Sequence, residues 1–163
     1  MKFERLQKLA DEMFLVEEGA LVERYDLDKL RPQELHPLVL AYVGDAYFHL
    51  FIRRRILAFT RVNIGLLHKF TSQMVSAVYQ NKAYRQIEGS LTEREKAIYR
   101  RARNTKSHAP RSASVAEYHS STGFEAVLGT LYLEGEKERL DAICEEAFQA
   151  IVKEIVAERE QAE

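Results

Sequence analysis

The sequence has one cysteine, no tryptophan, three prolines and seven glycines, and each scarcity excludes something. A lone Cys144 permits neither an internal disulfide nor a cysteine-built zinc site. Set among Ala142, Ile143, Ala147 and Phe148, it reads as a core thiol. No Asn-Gly or Asp-Gly dipeptide marks a hairpin, and no run alternates apolar and polar residues with period two. The longest apolar stretch, 38–48, is broken by Asp45 and is about half the length of a membrane span, so no membrane association is expected. Patterns for a P-loop, a GxGxxG nucleotide turn, a GxSxG elbow and an HExxH metal helix are all missing. Nucleophilic-serine and nucleotide-cradle chemistry therefore have no support. The first 14 residues mix acids with bases and offer no small-residue cleavage site, so no secretory leader is read there and the cytoplasm is the expected location.

What remains is a chain of one domain's length with an uneven charge. The formal net charge of −1 argues against bulk electrostatic coating of nucleic acid. Residues 35–133 nevertheless hold 14 Lys and Arg against 6 acids, between an acidic first 34 residues and an acidic last 30. A basic middle between acidic ends suits a local polyanion-binding face, and a set of solvated helix faces equally well.

Hydrophobic period predicts six helices in an all-α bundle without a sheet. The first covers 3–16 on a stripe of Phe3, Leu6, Leu9, Ala10, Met13 and Phe14, followed by a loop through 25–31. Residues 1–34 are read as an acidic helix and linker packed on the domain, and 35–163 as the domain itself. The second helix runs 37–57 from a favourable first-turn proline. The third spans 64–87, and the fourth opens on the Thr92/Glu95 capping box and ends near Asn104. The fifth, 115–133, stops where Gly135 can cap it, and the sixth covers 137–159. The second and fifth are apolar on nearly every side, which places them together at the centre.

Each of those two helices carries one isolated acid. Asp45 is the sole carboxylate between Glu34 and Glu88, and Glu125 the sole one between Glu117 and Glu134. A carboxylate in apolar surroundings needs a partner or a cation. Two such acids can hold Mg²⁺ or Mn²⁺, which bind through one or two carboxylates, waters and substrate phosphate, and such a site suits phosphodiester hydrolysis. An ion pair of Asp45 with Arg101 or Arg103 is the competing explanation. His49, four residues on, can hydrogen-bond Asp45 along the helix. His68 and Lys69 open a polar face that can touch phosphate. The segment RRARNTKSHAPR, 100–111, has five cations and no acid. Its charge and its hydroxyl and amide donors suit phosphate-backbone contact, and its lack of aromatics disfavours single strands.

These residues carry a resemblance. AYVGDAYF is similar to the signature helix of ribonuclease III catalytic domains, and STGFEAVLGTLYLEG to that family's second acidic helix. RRARNTKS and LHKFTSQMVSA resemble segments of the Mini-III branch, which lacks a separate double-stranded-RNA-binding domain. The likeness covers about 35–148. It implies a homodimeric, divalent-metal endoribonuclease that cuts double-stranded RNA to leave 5′-phosphate ends and trims precursor 23S ribosomal RNA. By position, Asp45 takes the catalytic metal-binding aspartate role and Glu125 the metal-binding glutamate role. Arg101, Arg103, Asn104, Lys106 and Ser107 fall in the RNA-facing segment. Ala41, Leu38 and Thr122 stand where full ribonuclease III has further acids, losses that the Mini-III branch shares. His49 replaces an expected glutamate and Ala102 an expected glycine. A double-stranded-RNA-binding protein of the same fold with weakened catalysis is the alternative. A helical nucleotide pyrophosphohydrolase would need ExxE-spaced acids, which the central helices lack.

Overall fold

The structure is a computed structural model that describes residues 2–17, 20–23, 30–59, 63–106 and 113–161. The chain divides into two units, Met1–Arg31 and Pro32–Glu163. In the first, helix α1 (Lys2–Met13) runs into strand β1 (Phe14–Glu17), which pairs antiparallel with β2 (Ala20–Glu23) in the register Leu15 to Val22. The sequence reading carried the helix on to Val16 and placed no sheet anywhere, and this hairpin is the departure. Phe14, Leu15, Val16 and Val22 are aromatic, branched or bulky apolar residues that fit a pleated strand.

The second unit is helical throughout its described elements. After a 3₁₀ turn at Pro32–Glu34 come α2 (Pro37–Phe59), α3 (Ile64–Met74), α4 (Ala77–Ile87), a 3₁₀ turn at Glu88–Ser90, α5 (Glu93–Arg103), α6 (Val115–Leu133) and α7 (Lys137–Glu160). The all-α expectation holds here, with one helix more than the periodicity gave. The expected 64–87 helix is two, because Ser76 takes an extended conformation and its hydroxyl caps α4 by accepting from Tyr79 N. The Thr92/Glu95 capping box forms as read, and an unread second box, Ser114/Glu117, starts α6. Gly135 ends α6 with φ 74°, a conformation that costs a glycine nothing.

The central pair is α2 and α6, which make the largest helix–helix contact in the molecule. They meet backbone to backbone. A Cβ on Gly44 would stand 1.8 Å from the Glu125 carbonyl oxygen, and one on Gly129 would stand 1.9 Å from that of Leu40. Around this seam α4, α5 and α7 complete a core in which Phe48 and Phe124 pack edge to face at 5.3 Å. Cys144 is buried and unpaired, as its neighbours required. One acid, Glu95, is also buried. It accepts a two-pronged pair of bonds from Arg139 at 2.8 Å each and another from Thr92 N.

Candidate active site at the α2–α6 seam

The glycine contact decides where the two isolated acids lie. Because Gly44 abuts the main chain of Glu125, the adjacent Asp45 and Glu125 are brought to the same level of the seam. Their electrostatic coupling follows: the Asp45 charge is one cause of a Glu125 pKa raised to about 8. Desolvation is the larger cause, since part of the residue reaches the surface but its carboxyl group is poorly reached by water. The Gln80 side chain of α4 lies against that carboxyl group and partly offsets the rise.

Asp45 itself differs from the sequence expectation of an interior acid. Its side chain is 48% exposed and reaches solvent. Its partner is His49, with Nε2 3.3 Å from Oδ1, the i, i+4 contact foreseen from spacing. Arg53 approaches the other ring nitrogen of His49 at 3.4 Å. Neither Arg101 nor Arg103 pairs with Asp45 among the described interactions, which removes the salt-bridge explanation of that acid.

Gln80 went unnoticed in the sequence because an amide in an amphipathic helix carries no signal. It is 1% exposed. Its Nε2 donates to the Val75 carbonyl at 2.9 Å, while its Oε1 is buried with no partner. A buried acceptor without a donor costs about 1–3 kcal/mol, so this oxygen awaits one. Two carboxyl groups brought to one level of the seam offer oxygen donors, the chemistry that hard divalent cations take. Among the described residues no group of three or more His, Cys, Asp or Glu gathers to hold a metal. A cation here would keep several waters, as Mg²⁺ does.

The residues read as RNA-facing do not share one surface. His68 and Lys69 are exposed on α3, and His68 lines a small cavity with Arg53 and Leu67. Arg101 is exposed and donates to the main-chain oxygens of Gln33 at 3.3 Å and Leu35 at 3.0 Å. Arg103, two residues on, points to the other side of α5 and lines a polar cavity with Arg85 and Arg100. Asn104 caps α5 and Lys106 is exposed at the edge of the described segment. Ser107 lies outside the described residues.

Residues 38–136 match the model of the Ribonuclease III domain family. The chain is 44% identical over 121 residues to the Mini-ribonuclease 3 of Symbiobacterium thermophilum, covering 74% of this chain and 93% of that protein. It is 47% identical to the Mini-ribonuclease 3 of a Thermoanaerobacter species, covering 72% of this chain and 83% of that one. Among solved structures it is similar to protein FN1578 of Fusobacterium nucleatum, with a TM-score of 0.65 and 37% identity over 72% of this chain and 94% of the other. No described helix is long and apolar enough to cross a membrane.

Proposed function

We propose that this chain, which belongs to the ribonuclease III family in its Mini-ribonuclease 3 branch, cleaves double-stranded RNA with a divalent cation held by Asp45 and Glu125. The observation that carries the reading is the convergence of those two acids at the Gly44 contact, beside the Gln80 amide. Mg²⁺, or Mn²⁺, bound there would lower the pKa of a water and offset charge on the phosphoryl oxygens. The chain's own residues bind and orient: Asp45 offers a half-exposed carboxyl group to the solvent side, and His49 steadies it. Glu125, with the Gln80 amide against it, would supply the inner side and would hold the cation in its deprotonated form. Likeness to the family and its branch supports hydrolysis that leaves the 5′-phosphate on the downstream fragment, with precursor 23S ribosomal RNA as the inferred substrate.

A homodimer is part of this reading. Val39, Tyr42, Leu50 and Leu57 form an exposed apolar stripe along α2, and a stripe of that kind on a soluble protein marks an interface. Tyr42→Asp with Leu50→Asp should give a monomer by analytical ultracentrifugation, and a native mass for wild-type protein equal to one chain would remove the dimer.

The deciding experiment is incubation of the purified protein with labelled duplex RNA in Mg²⁺ or in EDTA. Metal-dependent cleavage by the wild type, lost in a folded Asp45→Asn variant, is the expected result. Normal cleavage by Asp45→Asn would end the site assignment. The presence of His49 where a glutamate is expected favours one second reading, a duplex-RNA-binding protein with weakened catalysis. That reading predicts binding without cleavage in the same assay.

A further inference from the structure

A second polar cavity of about 330 Å³ lies between α4, α5 and the first turn of α6. Its walls carry three arginines from two helices, Arg85, Arg100 and Arg103. Elsewhere in this unit the described cations that approach acids are paired: Arg94 with Glu134 and Glu136, Arg139 with Glu95, Lys82 with Glu154 and Glu158. At this cavity none of the three guanidiniums has an ion pair or hydrogen bond among the described residues. The single acid of the lining, Glu88, accepts instead from the Tyr84 hydroxyl at 3.1 Å. Three guanidiniums stand against one carboxylate around this concavity, so an excess of positive charge remains that an anion between them offsets.

The floor is rigid. Tyr84 and Tyr99 are buried and stacked at 3.7 Å with their planes 3° apart, and Tyr99 Oη and Ser120 Oγ are bonded at 2.9 Å. The amide of Asn81 adds a neutral polar group to the wall. The first turn of α6 contributes Ala116 to the wall.

We propose that this cavity is a binding site for a phosphate ester, gripped by Arg85, Arg100 and Arg103 and distinct from the Asp45–Glu125 site. Guanidiniums in a fixed fork match the several oxygens of a phosphate better than a single carboxylate could. The volume falls in the range of about 300–1,000 Å³ typical of small-molecule pockets, leaving room for a sugar beside the phosphate. On α6, Ala116 and Ser120 share the face turned to the cavity. Glu125 lies roughly 140° around the helix from Ser120, so the two sites use different sides of it. The ester has two possible sources, a nucleotide unit of an RNA strand or a free nucleoside monophosphate.

The test uses the full chain in EDTA and reads binding alone, so its failure is separate from failure of the nuclease reading. Adenosine 5′-monophosphate and inorganic phosphate are titrated by calorimetry, and a labelled RNA duplex by fluorescence anisotropy. Two variants remove the site differently: Arg85→Gln with Arg100→Gln takes away charge, and Ala116→Phe fills the space with charge intact. Arg54→Gln with Lys153→Gln removes the same charge elsewhere as a control. We expect both site variants to lose at least tenfold in affinity while the control changes little. If duplex affinity falls in both site variants, the phosphate belongs to the RNA chain. If only the monophosphate affinity falls, the ester is a free one. Should neither small anion bind wild-type protein at millimolar concentration while Ala116→Phe holds the duplex normally, the proposal is overturned. It is overturned too if charge removal weakens duplex binding and Ala116→Phe leaves every affinity unchanged, since the arginines would then be a diffuse basic face.

Discussion

Two glutamates of this protein meet burial in opposite ways. Glu95, where α5 meets α7, is 3% exposed, whereas Glu125 at the α2–α6 seam retains more surface. Desolvation presses the Glu95 pKa upward, as it does that of Glu125. Yet the Arg139 fork and the bonds from Thr92 overcome that pressure and hold it below the usual carboxylate range. Glu125 has no cation beside it, so desolvation, helped by the Asp45 charge and only partly offset by the Gln80 amide, raises it to about 8. Desolvation presses on both acids, and a cationic partner decides whether it wins. An acid provided with a guanidinium holds helices together; one left without keeps its proton to a higher pH.

The largest effect that would sharpen this contrast is on activity. Glu125→Gln should reduce duplex-RNA cleavage by about a thousandfold or more, the several kcal/mol that metal-borne charge stabilisation supplies. Glu95→Gln should leave the folded fraction cutting at nearly the normal rate. Equal losses in single-turnover assays would dissolve the distinction between the two acids.

Next comes the contact that makes the seam. Gly44→Ala drives a methyl group into the main chain of α6, and we expect at least about 3 kcal/mol of destabilisation in urea melts. A change under 1 kcal/mol would mean the helices can part without cost. At the other pole, Arg139→Leu strands the Glu95 carboxylate and should cost about 3 kcal/mol. Because the Glu95 pKa is depressed by folding, that contribution is present above the unfolded value of about 4.3 and disappears as pH falls through the folded one. The stability gap between wild type and Arg139→Leu should therefore narrow in acid; a gap constant from pH 7 to pH 3 would contradict it.

The smallest effect has the opposite sign. In metal-free protein the folded state keeps the Glu125 proton up to about pH 8, while the unfolded chain releases it near 4.3. Between those values each rise in pH disfavours the folded state, and above about 8 the penalty levels off. Glu125→Gln, which removes that penalty, should melt a few degrees higher than wild type at pH 8 in EDTA, with the difference shrinking toward pH 4. Saturating Mg²⁺ should raise the wild-type melting temperature alone. A variant less stable than wild type at pH 8 would make Glu125 a structural residue.

Much of the candidate site is legible in the chain because its signals are local. An acid alone in a long apolar run stands out whatever surrounds it, and Asp45 and Glu125 were both found that way. The capping box at Thr92 and the stop at Gly135 depend on residues within one turn, and both form as read. The split at Ser76 was missed because periodicity alone runs through it, although a serine before Tyr79 was the available sign. The exposure of Asp45 was misjudged since apolar neighbours in sequence need not enclose a side chain in space. The hairpin at Phe14–Glu23 was missed because short apolar runs fit strand and helix alike.

The sequence by itself determined that this protein would be a helical bundle, which two helices would occupy its centre, and which two acids they would carry. Those properties follow from residue spacing along a single helix. Tertiary structure alone decided that Gly44 and Gly129 would let the central helices touch, that Gln80 would reach Glu125, and that Arg101 and Arg103 would part to opposite faces. It also gathered Arg85, Arg100 and Arg103 around one cavity. Proximity between distant segments depends on how whole helices pack, and that packing is settled by the sum of contacts across the core rather than by any stretch of chain.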